Sequence, residues 1–228
     1  MIKLKELYIY NIMTDLNLMK IVFSDIYDKD HWNMGQDESR SGLGSTLNYT
    51  ENIRKTLVKL IKERDIKFMI DVSCGDWNWM KLIQNELCDY TGIDIVNNIV
   101  INNTKRYKNN KTRFYCKDFL TVIRAIENNS VDLILCRHTC EHLPTNYNLD
   151  FIKECKRVTK YLLLTTKRIS STEPQNSELI LGLKTYRPIN LELPPYSDVL
   201  TSYFIEKIYD GPSSHHDSEM AIHLYKFN

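Results

Sequence analysis

Short apolar runs recur through the middle of the chain, and between them apolar positions return every third or fourth residue. The runs at 67–72, 90–95, 112–116, 131–136 and 160–166 read as buried strands, and the stretches at 77–87, 96–108, 119–127 and 147–157 as helices. A further amphipathic helix from Thr50 to Arg64, apolar at 53, 57, 58, 60 and 61, precedes the first run. Strands alternating with helices imply parallel pairing through right-handed crossovers. After Thr166 the rhythm changes. A polar stretch at 167–178 and a proline-containing segment at 187–196 lead to two last strands, 202–209 and 220–227. Their linker carries His215, His216 and Asp217 and is short enough for an antiparallel hairpin. The expected fold is α/β, a doubly wound sheet of seven strands, mostly parallel, with a C-terminal antiparallel hairpin.

Residues 1–30 mix apolar and charged positions without a clean period and read as a short helical or extended arm. Residues 33–48 hold three of the seven glycines, a loop by composition. With no internal repeat and no flexible linker, one domain is expected over 1–228. It divides into an N-terminal arm and cap loop (1–48), a cofactor-binding core (49–166) and a substrate-side arm with the hairpin (167–228).

Composition narrows the class. A chain of 228 residues, 43% hydrophobic and 26% charged, can bury a full core. The formal net charge of +1 supplies no field for nucleic acid or an anionic membrane surface, and no apolar stretch approaches the roughly 20 residues that span a bilayer. The first residues, Met-Ile-Lys-Leu-Lys-Glu, lack a signal peptide's apolar segment, so the expected compartment is the cytoplasm. The six cysteines, several inside apolar runs, are expected to be reduced thiols.

The densest chemical signal is Phe-Met-Ile-Asp-Val-Ser-Cys-Gly-Asp-Trp-Asn-Trp at 68–79. An apolar run ends in Asp71 and a tight Ser73-Cys74-Gly75 turn, and one βα unit later a second run ends in Asp94. Ligands of doubly wound folds sit beyond such strand ends. Gly75 lets backbone approach a ligand closely, Asp94 can accept from both ribose hydroxyls, and Asp118 can accept from an adenine amino group while Phe119 packs on the base. A pyrophosphate cradle requires more glycine than this turn has, and Asp76 would repel a pyrophosphate, which excludes a dinucleotide. Asp76 by itself would read as a helix cap.

The turn Asp71-Val72-Ser73-Cys74-Gly75 resembles the Asp/Glu-x-Gly-x-Gly motif of class I S-adenosylmethionine-dependent methyltransferases. The resemblance extends through Gly92-Ile93-Asp94-Ile95, Lys117-Asp118-Phe119, Val131-Asp132-Leu133-Ile134 and Glu141-His142-Leu143-Pro144. Gly35-Gln36-Asp37-Glu38-Ser39-Arg40-Ser41-Gly42 and Tyr186-Arg187-Pro188-Ile189-Asn190-Leu191 resemble the arms of a bacterial subgroup of that family. The resemblance implies a Rossmann-like fold and S-adenosylmethionine as cofactor, contacted by Arg40, Asp71, Ser73, Gly75, Asp76, Trp77, Asp94, Ile95, Asp118, Phe119 and Arg137. Ser73 departs from the motif's first glycine, at little cost if its φ is negative.

In such a fold the segment after the fourth strand stands nearest the transferred methyl group. Here it reads Cys136-Arg137-His138-Thr139-Cys140-Glu141-His142. His138 is the candidate general base, with His215 or His216 as its alternative should the hairpin cover the pocket. Arg137 is read as neutralising the cofactor's carboxylate or pairing with Asp71. His142 reads mainly as structural and is grouped on the substrate side with Tyr186 and Arg187. Arg40 and Arg187 are expected to roof the site, because guanidinium groups suit carboxylates and phosphates. The Cys-x-His-x-Cys-x-His spacing is too linear for a zinc tetrahedron, so no metal is expected. Leu193-Pro194-Pro195-Tyr196 matches poorly the motif of nucleic-acid amino-methyltransferases and reads as a rigid extended segment.

The resulting expectation is methyl transfer to a small polar or anionic molecule, O-methylation of a sugar, nucleotide-linked sugar or surface-polysaccharide precursor, with neither nucleic acid nor membrane as partner. The alternatives are a protein or nucleic-acid methyltransferase and a non-catalytic module that binds the cofactor.

Overall fold

The computed structural model describes residues 4–33, 35, 37–167, 176–180, 186–211 and 220–227, with side chains from Leu16 onward. The chain opens with helix α1 (Leu4–Asp28) and, after the cap loop, α2 (Glu51–Glu63). Strands and helices then alternate: β1 (Phe68–Val72), β2 (Asp89–Asp94), α3 (Asn97–Tyr107), β3 (Thr112–Cys116), α4 (Phe119–Arg124), β4 (Val131–Cys136), α5 (Thr145–Val158) and β5 (Thr159–Lys167). A short helix α6 (Tyr196–Leu200) precedes β6 (Phe204–Tyr209) and β7 (Met220–Lys226).

One sheet of seven strands results, in the order β3-β2-β1-β4-β5-β7-β6. The first five strands pair in parallel, and β7 lies antiparallel between β5 and β6. Both faces of the central strands are covered, which is why their sequences are almost continuously apolar. Ile70, Val72, Ile134 and Leu162 pack on α4 and α5, while Met69, Leu133, Leu135 and Leu163 join Ile53 and Leu57 of α2 and Trp77, Met80 and Val100 on the opposite face. The order reverses between β1 and β4, whose carboxyl ends therefore diverge and leave a crevice.

Two expectations are corrected. The stretch at 77–87 is a three-ten turn covering Met80–Glu86 and not an α-helix. Trp77 has φ 59°, outside the right-handed helical region, so no helix can begin there. The N-terminal arm is a 25-residue helix whose last turns bury Met19, Ile26 and Tyr27. His215, His216 and Asp217 lie outside the described residues.

Candidate active site

The carboxyl ends of β1 to β4 open into a cleft of about 880 Å³, mouth included. Its walls come from those ends, and its cover comes from Met19, Phe23 and Tyr27 of α1 together with Trp32, Ser41 and Ser45. The sequence pointed to a cap at 33–48 but not to α1, whose only signal was the Phe23/Tyr27 pair one turn apart followed by Trp32.

Asp71, Ser73, Gly75, Asp94, Ile95, Asp118, Phe119, Arg137, His138 and His142 all line this cleft. Asp94 ends β2. One of its oxygens accepts from the Gly75 amide at 3.0 Å and the other from the Val96 amide at 2.9 Å, so the carboxylate ties the motif turn to the next strand. Burial raises its pKa to about 6 against the pull of those amides. Asp118 caps α4 through the Thr121 amide at 2.7 Å and also accepts from the Tyr147 hydroxyl. Asp71 accepts from the Tyr90 hydroxyl at 2.6 Å, which itself accepts from Trp77 Nε1 at 2.8 Å. Burial is the main reason its pKa rises to about 7. Trp77 is thus a core residue standing behind Asp71, 1% exposed and outside the cleft lining, and not a cofactor contact. Ser73 has φ 56°, the left-handed region that costs a residue with a Cβ about 1 kcal/mol, so the condition under which serine would cost little is not met.

Gly75 and Asp76 face the cap loop. With φ 57°, Gly75 adopts a backbone shape that favours glycine, and a Cβ there would overlap Ser41 Oγ. The close approach that this glycine permits is therefore to the protein's own loop. Asp76 lies outside the cleft lining; it accepts from Ser39 Oγ (2.9 Å), the Arg40 amide (2.8 Å) and Ser41 Oγ (3.1 Å). Asn78 completes the clasp by donating to Glu38 Oε1 at 2.8 Å. Arg40 contributes its amide here, while its guanidinium donates to the Tyr27 carbonyl and sits outside the cleft.

Beyond β4 lies a compact set of charges. Arg137 pairs with Asp210, Nε and Nη2 both reaching the carboxylate at 3.0–3.1 Å, and does not pair with Asp71. His138, φ 52°, places Nδ1 3.2 Å from Glu141 Oε1 and Nε2 3.2 Å from Asp210 Oδ2. Burial and the Arg137 charge push the His138 pKa down, but the hydrogen bonds to Asp210 and Glu141 outweigh them and the net shift is upward. Both carboxylates, for all their burial, are held below their ordinary values, Asp210 by Arg137 and His138 and Glu141 by His138. Both ring nitrogens of His138 thus already face a carboxylate, and the flanking anions favour its protonated form. Asp210 was read as part of a turn, and no local signal tied it to a residue 73 positions upstream.

Arg187 does not roof the cleft. It is 3% exposed and donates to the carbonyls of Ser177 (2.8 Å) and Leu143 (2.6 Å), while its amide donates to the Glu141 carbonyl at 2.9 Å. It staples the C-terminal arm to the 141–143 loop. The side chains of the Cys-x-His-x-Cys-x-His stretch diverge. Cys136 and Cys140 join the core with sulfurs 3.6 Å apart, His138 faces carboxylates, and His142 packs among Phe23, Trp32 and Tyr186.

Over residues 70–161 the chain matches the family described as "Methyltransferase domain". That stretch, less than half of the chain, is similar to methyltransferase domains. Such domains use S-adenosylmethionine, and the chain is an enzyme of that type. Solved structures share the fold at low identity. The magnesium protoporphyrin IX methyltransferase of Synechocystis PCC 6803 with bound SAM is 12% identical with a TM-score of 0.60, over 92% of this chain and 97% of that one. The 1,6-didemethyltoxoflavin-N1-methyltransferase of Burkholderia thailandensis, 12% identical, gives 0.61 over 92% of this chain and 87% of that one. The PH0226 protein of Pyrococcus horikoshii OT3, 16% identical, gives 0.60 over 86% and 98%. No curated protein matches the chain.

Two outcomes are expected. The raised His138 pKa means that the folded state holds this proton more tightly than the unfolded chain does. The resulting stabilisation is complete below the unfolded value of 6.5 and is lost as pH rises through the higher folded value. The melting-temperature gap between wild type and His138→Gln is therefore widest below pH 6.5 and narrows as pH rises above it; a constant gap would show that the ring holds no extra proton in the folded state. Asp76→Ala, which removes three acceptor contacts to the cap loop, is expected to lower unfolding free energy by about 2 kcal/mol in urea titration, and Asp76→Asn by less.

Proposed function

We propose that the cleft holds S-adenosylmethionine with its adenosine toward Asp94, Ile95, Asp118 and Phe119, and that the chain transfers the methyl group to a small molecule. The observation that carries this reading is the placement of Asp94 and Asp118 at the ends of adjacent parallel strands, with an apolar ring and Ile95 between them. Each carboxylate oxygen has lone pairs beyond the contacts already made, so hydroxyl and amino donors can be accommodated. The donor set also suits a cation. Asp71, Asp94 and Asp118 line the cleft, while the charge of Arg137 is matched by Asp210.

When bound, the cofactor supplies a methyl group on positive sulfur. The chain's residues contribute position: in-line displacement gains most from holding the acceptor in place. A cleft covered by α1 and the cap loop favours a small acceptor over a protein or nucleic acid. The finer reading, a sugar or polysaccharide precursor, rested on Arg40 and Arg187 as anion receptors. Both guanidinium groups donate to main-chain carbonyls, so what remains in its favour is the polar lining alone. Among the described residues no helix is long and apolar enough to cross a membrane.

Calorimetry with S-adenosylhomocysteine tests the placement, and Asp94→Asn is expected to weaken binding about tenfold. A change below twofold would move the ribose elsewhere. A second test uses pH. Asp71, with its pKa raised to about 7, ionises as pH climbs, and its anion attracts the sulfonium. Affinity for S-adenosylmethionine is expected to rise between about pH 6 and 8 more than affinity for the uncharged thioether product.

A further inference from the structure

Charge is unevenly spread along this chain. Residues 97–117 hold Lys105, Arg106, Lys108, Lys111, Arg113 and Lys117 and not one of the 29 acids, so the near-neutral total averages a cationic segment against a net-negative remainder. Folded, this segment is α3 and the edge strand β3. All six cations are exposed. Elsewhere exposed cations commonly pair with acids, as Lys55, Lys62, Arg124 and Lys207 do. Among the described residues none of the six makes an ion pair.

Strand geometry arranges three of them in a row. Pairing with β2 continues past both ends of β3, the Tyr90 amide donating to the Lys111 carbonyl at 2.7 Å and the Lys117 amide to the Asp94 carbonyl at 3.0 Å. The chain is therefore extended from 111 to 117, and its side chains alternate between faces. Thr112 and Phe114 are buried, while Lys111, Arg113, Tyr115 and Lys117 share the opposite face and are all exposed, Tyr115 by 49%. The row Lys-Arg-Tyr-Lys is about 20 Å long, with one side chain every ~6.7 Å. Lysine on an edge strand also guards against pairing with another chain. The other edge, β6, meets that need with both signs, Glu206 beside Lys207, and Lys207 is paired with Glu192 at 3.0 Å. Edge protection alone calls neither for a single sign nor for an exposed ring set among the cations.

We propose that this face of β3 binds single-stranded nucleic acid, with Lys111, Arg113 and Lys117 on phosphates along the strand and Tyr115 stacked on a base. A flexible strand can follow a straight, regular row of cations, and a tyrosine ring offers any base a stacking surface. A duplex hides the faces of its bases, so only a single strand engages both the cations and the ring. The row is one side chain wide, which matches a chain of phosphates and not the plane of a lipid surface. It lies outside the cleft lining, and nothing in it depends on what the cleft holds.

The test is fluorescence anisotropy of a labelled oligouridine strand titrated with the full chain at several potassium chloride concentrations. Saturable binding is expected, weakening with salt along a log–log slope of about −2, as three phosphate contacts on a single strand require. The triple variant Lys111→Gln, Arg113→Gln, Lys117→Gln is expected to weaken binding at least tenfold at low salt and to flatten that slope toward zero. Tyr115→Ala removes stacking and no charge, so it should weaken binding about tenfold with the slope unchanged. The triple variant Lys55→Gln, Lys59→Gln, Lys62→Gln, an equal loss of exposed charge on α2, serves as the unchanged control. Melting temperatures equal to wild type show that the variants fold, and Tyr115→Ala decides alone if the β3 triple variant does not. No saturable binding, a duplex bound as tightly as the single strand, or an α2 variant as weak as the β3 variant overturns the proposal. So does indifference to Tyr115→Ala. Tighter binding to phosphatidylserine vesicles, lost in the β3 triple variant, would make the face a membrane surface and overturns it as well.

Discussion

Four ionisable side chains set side by side beyond β4 govern the geometry of this protein's site. Arg137 and His138 face the carboxylates of Glu141 and Asp210, which are at most 1% exposed. Removing charges from water costs several kcal/mol each unless every one finds a partner. That requirement makes the set an all-or-none assembly. It also fixes chain path, because Asp210 stands at the end of β6 while the other three belong to the loop after β4. The hairpin cannot shift without leaving Arg137 without its carboxylate and His138 with Glu141 alone. His138 holds a left-handed backbone shape, and its amide donates to Thr165 Oγ1 at 2.9 Å, so the loop is tied to β5 as well.

A second constraint acts across the cleft. The turn after β1 is poor in glycine because its contacts are largely internal. Asp76 accepts from Ser39, Arg40 and Ser41, and Ser41 fills the space that Gly75 leaves beside Tyr27. A cofactor is thus met by a wall in which motif turn, cap loop and α1 are one hydrogen-bonded unit. The acid that argued against a pyrophosphate in the sequence does so through a different contact from the one imagined, since its oxygens are turned to the loop.

The parallel strands were legible to within about a residue, because buried central strands leave unbroken apolar runs that no other element of that length imitates. The cleft acids were legible for the same reason, since Asp71, Asp94 and Asp118 interrupt or close such runs. Trp77 was not. Its placement depends on a left-handed φ and on a hydrogen bond to Tyr90 of β2, neither of which has a local signature. Arg187 misled for a general reason. A guanidinium can satisfy an anion or several carbonyls equally well, and only the fold decides between them. Asp210 was invisible because its partners lie 72 and 73 positions away.

The setting of His138 bears directly on the chemistry of the site. A histidine at the end of the fourth strand invites assignment as a base, but both of its ring nitrogens already face carboxylates, Nδ1 that of Glu141 and Nε2 that of Asp210. Taking a proton from an acceptor would require one of those contacts to open, so any base chemistry at this ring is coupled to the pairing of Asp210 with Arg137 and hence to the position of the C-terminal hairpin.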